Sequence, residues 1–224
     1  MRSMNEVNAK FIAGTAEKTM APFFSPDGKW IAYWSLDDLQ LKKISILGGT
    51  PRPLCNDLSN AYWDWGIDGN IYYAGTKGIM RVSDTGGVPE TLIELIEDEA
   101  FFSPQLLPGG KSIMFTIDTG GEYKVAVQSI DSDEREILLD GHTARYLPTG
   151  HLIYMTGNDI KAVQFDIDNL AAKGGVVTIV EFIGCLLTVL EKPNPFIQKK
   201  SGKFFQPRYQ GTELFYYVRY RKLV

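Results

Sequence analysis

From Phe23 to Tyr33 the chain reads FFSPDGKWIAY, two runs of apolar and aromatic residues parted by a short polar interval. The pattern predicts two strands joined at a tight turn. Pro26 fixes φ, the Asp27 side chain bonds the backbone two residues on, and Gly28 accepts the positive φ that hairpin turns require. The phrase returns as DWGIDGNIYY, QLLPGGKSIMF and RYLPTGHLIY, which places Gly28, Gly69, Gly110 and Gly150 at an almost constant pitch. A shorter fifth copy, PRYQGTELFYY, puts Gly211 at the turn and carries the aromatic column of Tyr33, Tyr73, Phe115 and Tyr154 on to Tyr216. There the pitch breaks, because Gly211 follows Gly150 by about one and a half units.

A second hairpin follows the first in each unit: LKKISILGGTPRPL, IMRVSDTGGVPETL, YKVAVQSIDSDEREIL and IKAVQFDIDNLAAKGGVVTIV. Four antiparallel strands in a repeat of roughly 40 residues predict a β-propeller, in which neighbouring blades bury one another's faces. A two-sheet sandwich with closely spaced turns is the alternative, and the regular pitch speaks against it. The expected fold is all-β, one domain over 1–224, with units at 19–59, 60–100, 101–142 and 143–184. A last unit at 204–224 stops after about two and a half strands, whereas MNEVNAKFIAGT at the start matches the end of a second hairpin. Residues 2–14 are therefore expected to complete the last blade and close the ring, which removes two exposed sheet edges. This gives five blades, with 185–203 as an irregular linker or a vestigial sixth.

Composition narrows the function classes. A hydrophobic content of 44% with 22% charged residues is that of a soluble globular chain, and 22 glycines with 11 prolines fit many turns. The net charge of −4 lacks the basic footprint of a nucleic-acid binder. Cys55 and Cys185 stand far apart without C-x-x-C spacing, so neither a zinc knuckle nor a disulfide framework is expected. MRSMNEVNAKFIAG has no charged region leading into an apolar stretch and is not, as it stands, a secretory signal. Val176 to Leu190 is the most apolar stretch, but its length and Glu181 argue against a membrane span, and its β-branched content predicts buried strands. No membrane insertion and a monomer are expected.

The repeat phrases PFFSPDGKWIAYWS, GIMRVSDTGGVPETL, PQLLPGGKSIMFT and ARYLPTGHLIYMTGNDIKAVQFDIDNL strongly resemble the TolB-like propeller repeats found C-terminal to bacterial serine/threonine protein kinases. The resemblance covers nearly the whole chain. It implies a non-catalytic propeller that senses or binds other molecules, placed outside the cytoplasmic membrane in an envelope or signalling context. The chain contains none of the kinase motifs: no Gly-rich loop followed by V-A-I-K, no H-R-D-L-x-x-x-N and no D-F-G.

Enzymatic chemistry has little to stand on in this sequence. With two histidines, His142 and His151, and no G-x-S-x-G, a Ser-His-Asp hydrolase is unsupported. His142 reads as a loop residue at the entry to the fourth unit, and His151 as a solvent-facing turn residue. A glycosidase of the five-bladed type needs paired carboxylates on inner strands, and Asp64 alone is predicted there. DSDERE at 131–136 and DIDN at 166–169 lack the glycine and glutamate of an EF-hand loop, so no metal and no cofactor is expected.

What remains is a column on the inner strands: Phe23, Asp64, Gln105, Arg145 and Arg208, followed by Phe24, Trp65, Leu106, Tyr146 and Tyr209. Because side chains alternate along a strand, the first set is expected to face the central channel and the second to pack between blades. Asp64, Gln105, Arg145 and Arg208 are the candidate binding residues, with Trp63, Trp65, Tyr146 and Tyr209 as aromatic contacts; the other reading of the ring is mutual satisfaction, Asp64 pairing an arginine in a polar, hydrated core. The expected partner is a protein, a peptide or a small anion held by the two arginines. The alternatives are a glycoside hydrolase and a truncated propeller with no independent function.

Overall fold

The computed structural model describes residues 12–57 and 59–181. They form strands only: β1 (Thr19–Phe24), β2 (Trp30–Ser35), β3 (Gln40–Ser45), β4 (Arg52–Cys55), β5 (Ser59–Trp65), β6 (Asn70–Gly75), β7 (Gly78–Ser83) and β8 (Glu90–Glu94). The next eight are β9 (Ala100–Leu106), β10 (Ser112–Asp118), β11 (Tyr123–Ser129), β12 (Arg135–Asp140), β13 (His142–Leu147), β14 (His151–Thr156), β15 (Asp159–Asp166) and β16 (Ala171–Val180). Each successive group of four makes one antiparallel sheet in chain order, so the described residues hold four blades. The first strands β1, β5, β9 and β13 touch in sequence, which places them on the inside of the arc. The expected fifth blade and the closing strand at 2–14 fall largely outside the described residues.

The turn chemistry repeats as the sequence predicts. Gly28, Gly69, Gly110 and Gly150 have φ of 68°, 78°, 69° and 77°. Each donates its N–H to the carbonyl three residues back, on Ser25, Gly66, Leu107 and Leu147. A side chain confined to negative φ does not make this turn without strain. In the first unit, Asp27 accepts from the Ser25 hydroxyl at 2.6 Å and from the Lys29 N–H at 3.0 Å.

Each blade is apolar on both faces, and this is why strand residues alternate between two neighbours rather than between core and water. Ile71 and Tyr73 join Ala32, Trp34 and Leu41 in the core between the first and second blades. Tyr72 and Ala74, one residue out of phase, join Leu106, Ile113 and Phe115 on the other side. A third core between the last two described blades holds Met114, Val125, Leu152 and Phe165. The outer face of the first blade carries Ile31, Tyr33 and Ile44, with Ile12 and Ile46 against them.

An acidic residue in the segment entering each of three blades ties that segment to the blade, sixteen residues ahead of the aromatic column. The Tyr33 hydroxyl donates to Glu17 at 2.7 Å, and that of Tyr73 donates to Asp57 at 3.0 Å. Phe115 has no hydroxyl; there Glu99 takes Arg135 at 2.7 Å, and the Arg135 guanidinium lies 5.0 Å from the Phe101 ring and 5.6 Å from that of Phe115. Glu17 also accepts from Ser35 and from Lys42, each at 2.7 Å. Burial alone would raise the Glu17 carboxyl; hydrogen bonds from Lys42, Tyr33 and Ser35 and the Lys42 charge outweigh it and hold the group below its usual range.

Two sequence expectations need correction. The stretch from Val176 was expected to form buried strands, yet in β16 Val176, Val177 and Ile179 are exposed. β16 is the outermost strand of its blade, and no described blade stands on the far side; residues from 182 onward lie outside the described set. His142 is not in a loop: it begins β13 and is half-buried.

Candidate functional site

The inner strands do more than line the axis. Each slips its register against the second strand just before the column position, between Met20 and Phe23, Ser59 and Trp63, and His142 and Arg145, and at the matching place in β9. Ala21, Ser103 and Thr143 take φ of 49°, 49° and 55° at these bulges. A bulge re-aims the residues that follow it; here pairing resumes at Phe23, Gln105 and Arg145, and in β5 at Trp63, directly ahead of Asp64.

Asp64 and Gln105 each reach forward to the next blade. The Leu106 N–H donates to Asp64 Oδ2 at 2.9 Å, and the Tyr146 N–H donates to Gln105 Oε1 at 2.7 Å. Gln105 Nε2 returns a long bond to the Tyr146 carbonyl at 3.5 Å. Arg145 reaches backward instead, its Nη1 donating to the carbonyls of Ser103 at 3.0 Å and Pro104 at 3.1 Å. Burial pushes the Asp64 carboxyl up, while the Leu106 N–H and the Arg145 charge pull it back. Burial likewise pulls Arg145 down against the charge of Asp64.

Asp64 and Gln105 line a cavity of about 560 Å³ at the end of the inner strands that carries the first turn of each blade. Phe23, Trp63, Trp65, Leu106 and Tyr146 form its walls, and Asp64 and Gln105 its polar floor. Phe23 stacks on Trp63 with ring centroids 6.1 Å apart, and Trp63 in turn lies 4.8 Å from the Tyr73 ring. The rim consists of one residue from each turn, Pro26, Ile67, Pro108 and Pro148, all exposed. Proline suits this turn position, whose φ it presets. Ile67 has no such excuse, and it is 82% exposed.

Of the residues singled out in the sequence, Asp64, Gln105, Trp63, Trp65 and Tyr146 meet around this one cavity. Arg145 is not among its lining residues, because its length carries the guanidinium back to the β9 carbonyls. Arg208 and Tyr209 lie outside the described residues. The second column does not behave uniformly: Trp65 and Leu106 are buried against the preceding blade, whereas Phe24 is 55% exposed. Its face is the one that meets a preceding blade in the other units, and among the described residues none stands there. Phe23, expected at the channel, lines this cavity and at the same time packs against the core between the first two blades.

A smaller cavity of about 220 Å³ at the opposite end was not singled out in the sequence. Tyr62, Phe102, Tyr123 and His142 surround it. Burial lowers the basicity of His142, whose Nδ1 lies 2.9 Å from the Thr143 hydroxyl. The residues early in the inner strands, two or three ahead of the column, were the available signal.

Solved structures share this architecture. A TolB-type protein from Agrobacterium tumefaciens superposes with a TM-score of 0.59 at 20% identity, over 75% of this chain and 67% of that one. TolB from Acinetobacter baumannii gives 0.52 at 21% identity, over 66% of this chain and 40% of that one. The fold is that of a TolB-like β-propeller. A chain of a nidogen–laminin complex shares it at 12% identity, with a TM-score of 0.54 over 66% of the propeller and 61% of its own length. So does an enzyme, an oligogalacturonate lyase in complex with manganese, at 9% identity with a TM-score of 0.52 over 76% and 55% of the two chains. No family model and no curated protein matches the sequence. Among the described residues no helix is long and apolar enough to cross a membrane, and no group of three or more His, Cys, Asp or Glu is placed to hold a metal ion.

Proposed function

We propose that the propeller is a protein-binding module, and that its contact surface is the mouth rimmed by Pro26, Ile67, Pro108 and Pro148. The observation that carries this reading is the exposure of Ile67 above an aromatic-walled cavity. One exposed apolar side chain is ordinary, as Leu47 and Val88 are elsewhere on this surface; what distinguishes Ile67 is its place with three prolines over aromatic walls, the composition of an interface centre. The nidogen–laminin complex supplies a case in which a chain of this fold belongs to a protein assembly. A hydrolytic reading would require two carboxylates facing one another across the cavity; among the described lining residues Asp64 is the one acid, and Asp68 beside it is engaged by Tyr72 and Asn70.

Closure of the ring is part of the same proposal. The Gly87 N–H donates to the Leu54 carbonyl at 3.1 Å, joining the outer strand of one blade to the next. The Gly49 N–H donates to the Ala13 carbonyl at 3.0 Å in the same manner. Ala13 thus holds, relative to the first blade, the place that Leu54 holds relative to the second. This supports residues 2–14 as the outer strand of a last blade completed by 204–224.

The test is affinity capture of partners by the purified full chain, compared with an Ile67→Asp, Pro108→Asp double variant. Leu36→Asp, in the exposed β2–β3 turn at the opposite end, is the control. The reading expects captured proteins to be lost with the rim variant and kept with the control. Equal capture by all three proteins removes the mouth as the contact surface.

A further inference from the structure

Resting on the reading of the mouth as a binding surface, we propose that it selects a positively charged group, a lysine or arginine side chain carried on an apolar segment of the partner. Asp64 is the one charged side chain among the described residues that line the cavity. The Leu106 N–H occupies one lone pair of its Oδ2, and a carboxylate presents about four such sites. Gln105 turns both ends of its amide to the Tyr146 backbone, keeps one N–H and one oxygen lone pair besides, and carries no charge. Asp68, in the turn that carries Ile67, adds a second negative charge at the same end; the Arg145 charge acts on Asp64 in the opposite sense, but its guanidinium is held on the β9 carbonyls and does not line the cavity.

The walls favour the same ligand. Trp63, Trp65, Phe23 and Tyr146 present aromatic surface to the cavity, and ring faces attract an ammonium or guanidinium while accepting the methylene stem that carries it. The chain already uses this contact nearby: Lys43 Nζ lies 4.9 Å from the Trp30 ring and 5.6 Å from that of Trp65. The anion expected from the sequence depended on two arginine forks, and the one described, on Arg145, is turned to the carbonyls of β9.

The experiment uses the full chain and four short peptides of identical apolar sequence whose central residue is lysine, acetyl-lysine, norleucine or glutamate. Binding is followed by the fluorescence of the mouth tryptophans and by titration calorimetry. The lysine peptide is expected to bind at least about tenfold more tightly than the acetyl-lysine and norleucine peptides, the increment of one charge-assisted hydrogen bond. The glutamate peptide is expected to bind least. Asp64→Asn keeps an acceptor for the Leu106 N–H and should erase the preference for lysine without abolishing norleucine binding. Equal binding of the lysine, acetyl-lysine and norleucine peptides overturns the charge selection but leaves the mouth as a protein-binding surface. Preference for glutamate overturns it in favour of an anion. Absence of binding by every peptide also overturns it, and the wild-type comparison stands whether or not the Asn variant folds. The rim-variant capture experiment fails or succeeds independently of all four.

Discussion

Replacing Glu17 by alanine removes the acceptor of three donors in one step. Tyr33 is 2% exposed, so its hydroxyl would be left buried without Glu17, at a cost of about 1–3 kcal/mol. Lys42, whose side chain is 12% exposed, would keep Asp38 at 2.5 Å but lose its more buried partner Glu17, for about 1 kcal/mol more. A loss of about 3 kcal/mol corresponds to a fall in Tm of roughly 6–12 °C for a chain of this size. The assay is thermal unfolding by circular dichroism of wild type, Glu17→Ala, Tyr33→Phe and the double variant. The cycle should show a coupling of at least about 1 kcal/mol between the two sites. The pH dependence has a definite sign. The Glu17 carboxyl lies below its ordinary value of 4.5 in the folded protein, so its contribution is complete above that value and is lost as pH falls through the lower folded one. The gap in Tm between wild type and Glu17→Ala should therefore close on acidification below about pH 4. A single variant that melts within a degree of wild type, together with a cycle showing no coupling, would refute the claim that this network anchors the entry to the blade.

Gly78 has φ of 136°, and a Cβ there would stand 1.9 Å from the Ile93 carbonyl oxygen, so Gly78→Ala should lower Tm by more than about 10 °C, about 3 kcal/mol or more. Gly175→Ala, with nothing within 4 Å and no positive φ, should leave Tm unchanged or slightly raised in the same melt. Gln105→Leu removes the bond that takes the Tyr146 N–H and should lower Tm by roughly 3–8 °C, with hydrogen exchange accelerating at Tyr146 before the centre of either blade; uniform exchange would contradict a latch at the junction.

Much of the fold is legible because its most repetitive feature is also its most constrained. A turn glycine in the left-handed region, recurring once per unit, fixes where one strand ends and the next begins, and apolar residues on both sides fix what each strand needs. Glu17, Asp57 and Glu99 were missed because they lie outside the aligned hairpins, although their constant offset from Tyr33, Tyr73 and Phe115 is visible in the chain. The column of Asp64, Gln105 and Arg145 is readable from strand alternation, but not the direction in which each side chain points. A short aspartate reaches a neighbouring N–H, whereas a long arginine at the equivalent place folds back to carbonyls. Alternation also fails to bury Phe24, because among the described residues the first blade has no predecessor to pack against it. The rim was hidden in plain view: Pro26, Pro108 and Pro148 read as turn chemistry, and only their convergence with Ile67 over one cavity gives them a second meaning.

The bonds from Asp64 and Gln105 end on main-chain N–H groups, of Leu106 and Tyr146, and not on any side chain of the receiving blade. A donor present in every residue except proline places almost no demand on what the receiving unit encodes. Leucine and tyrosine already occupy the two receiving positions, and the sending residues differ as well. A gene built in this way can duplicate a unit, let the copies drift and still join them, since only the sender must keep an acceptor of the right length. Blade number then becomes a variable open to selection, and grafting a unit from another propeller should fail first at the sender.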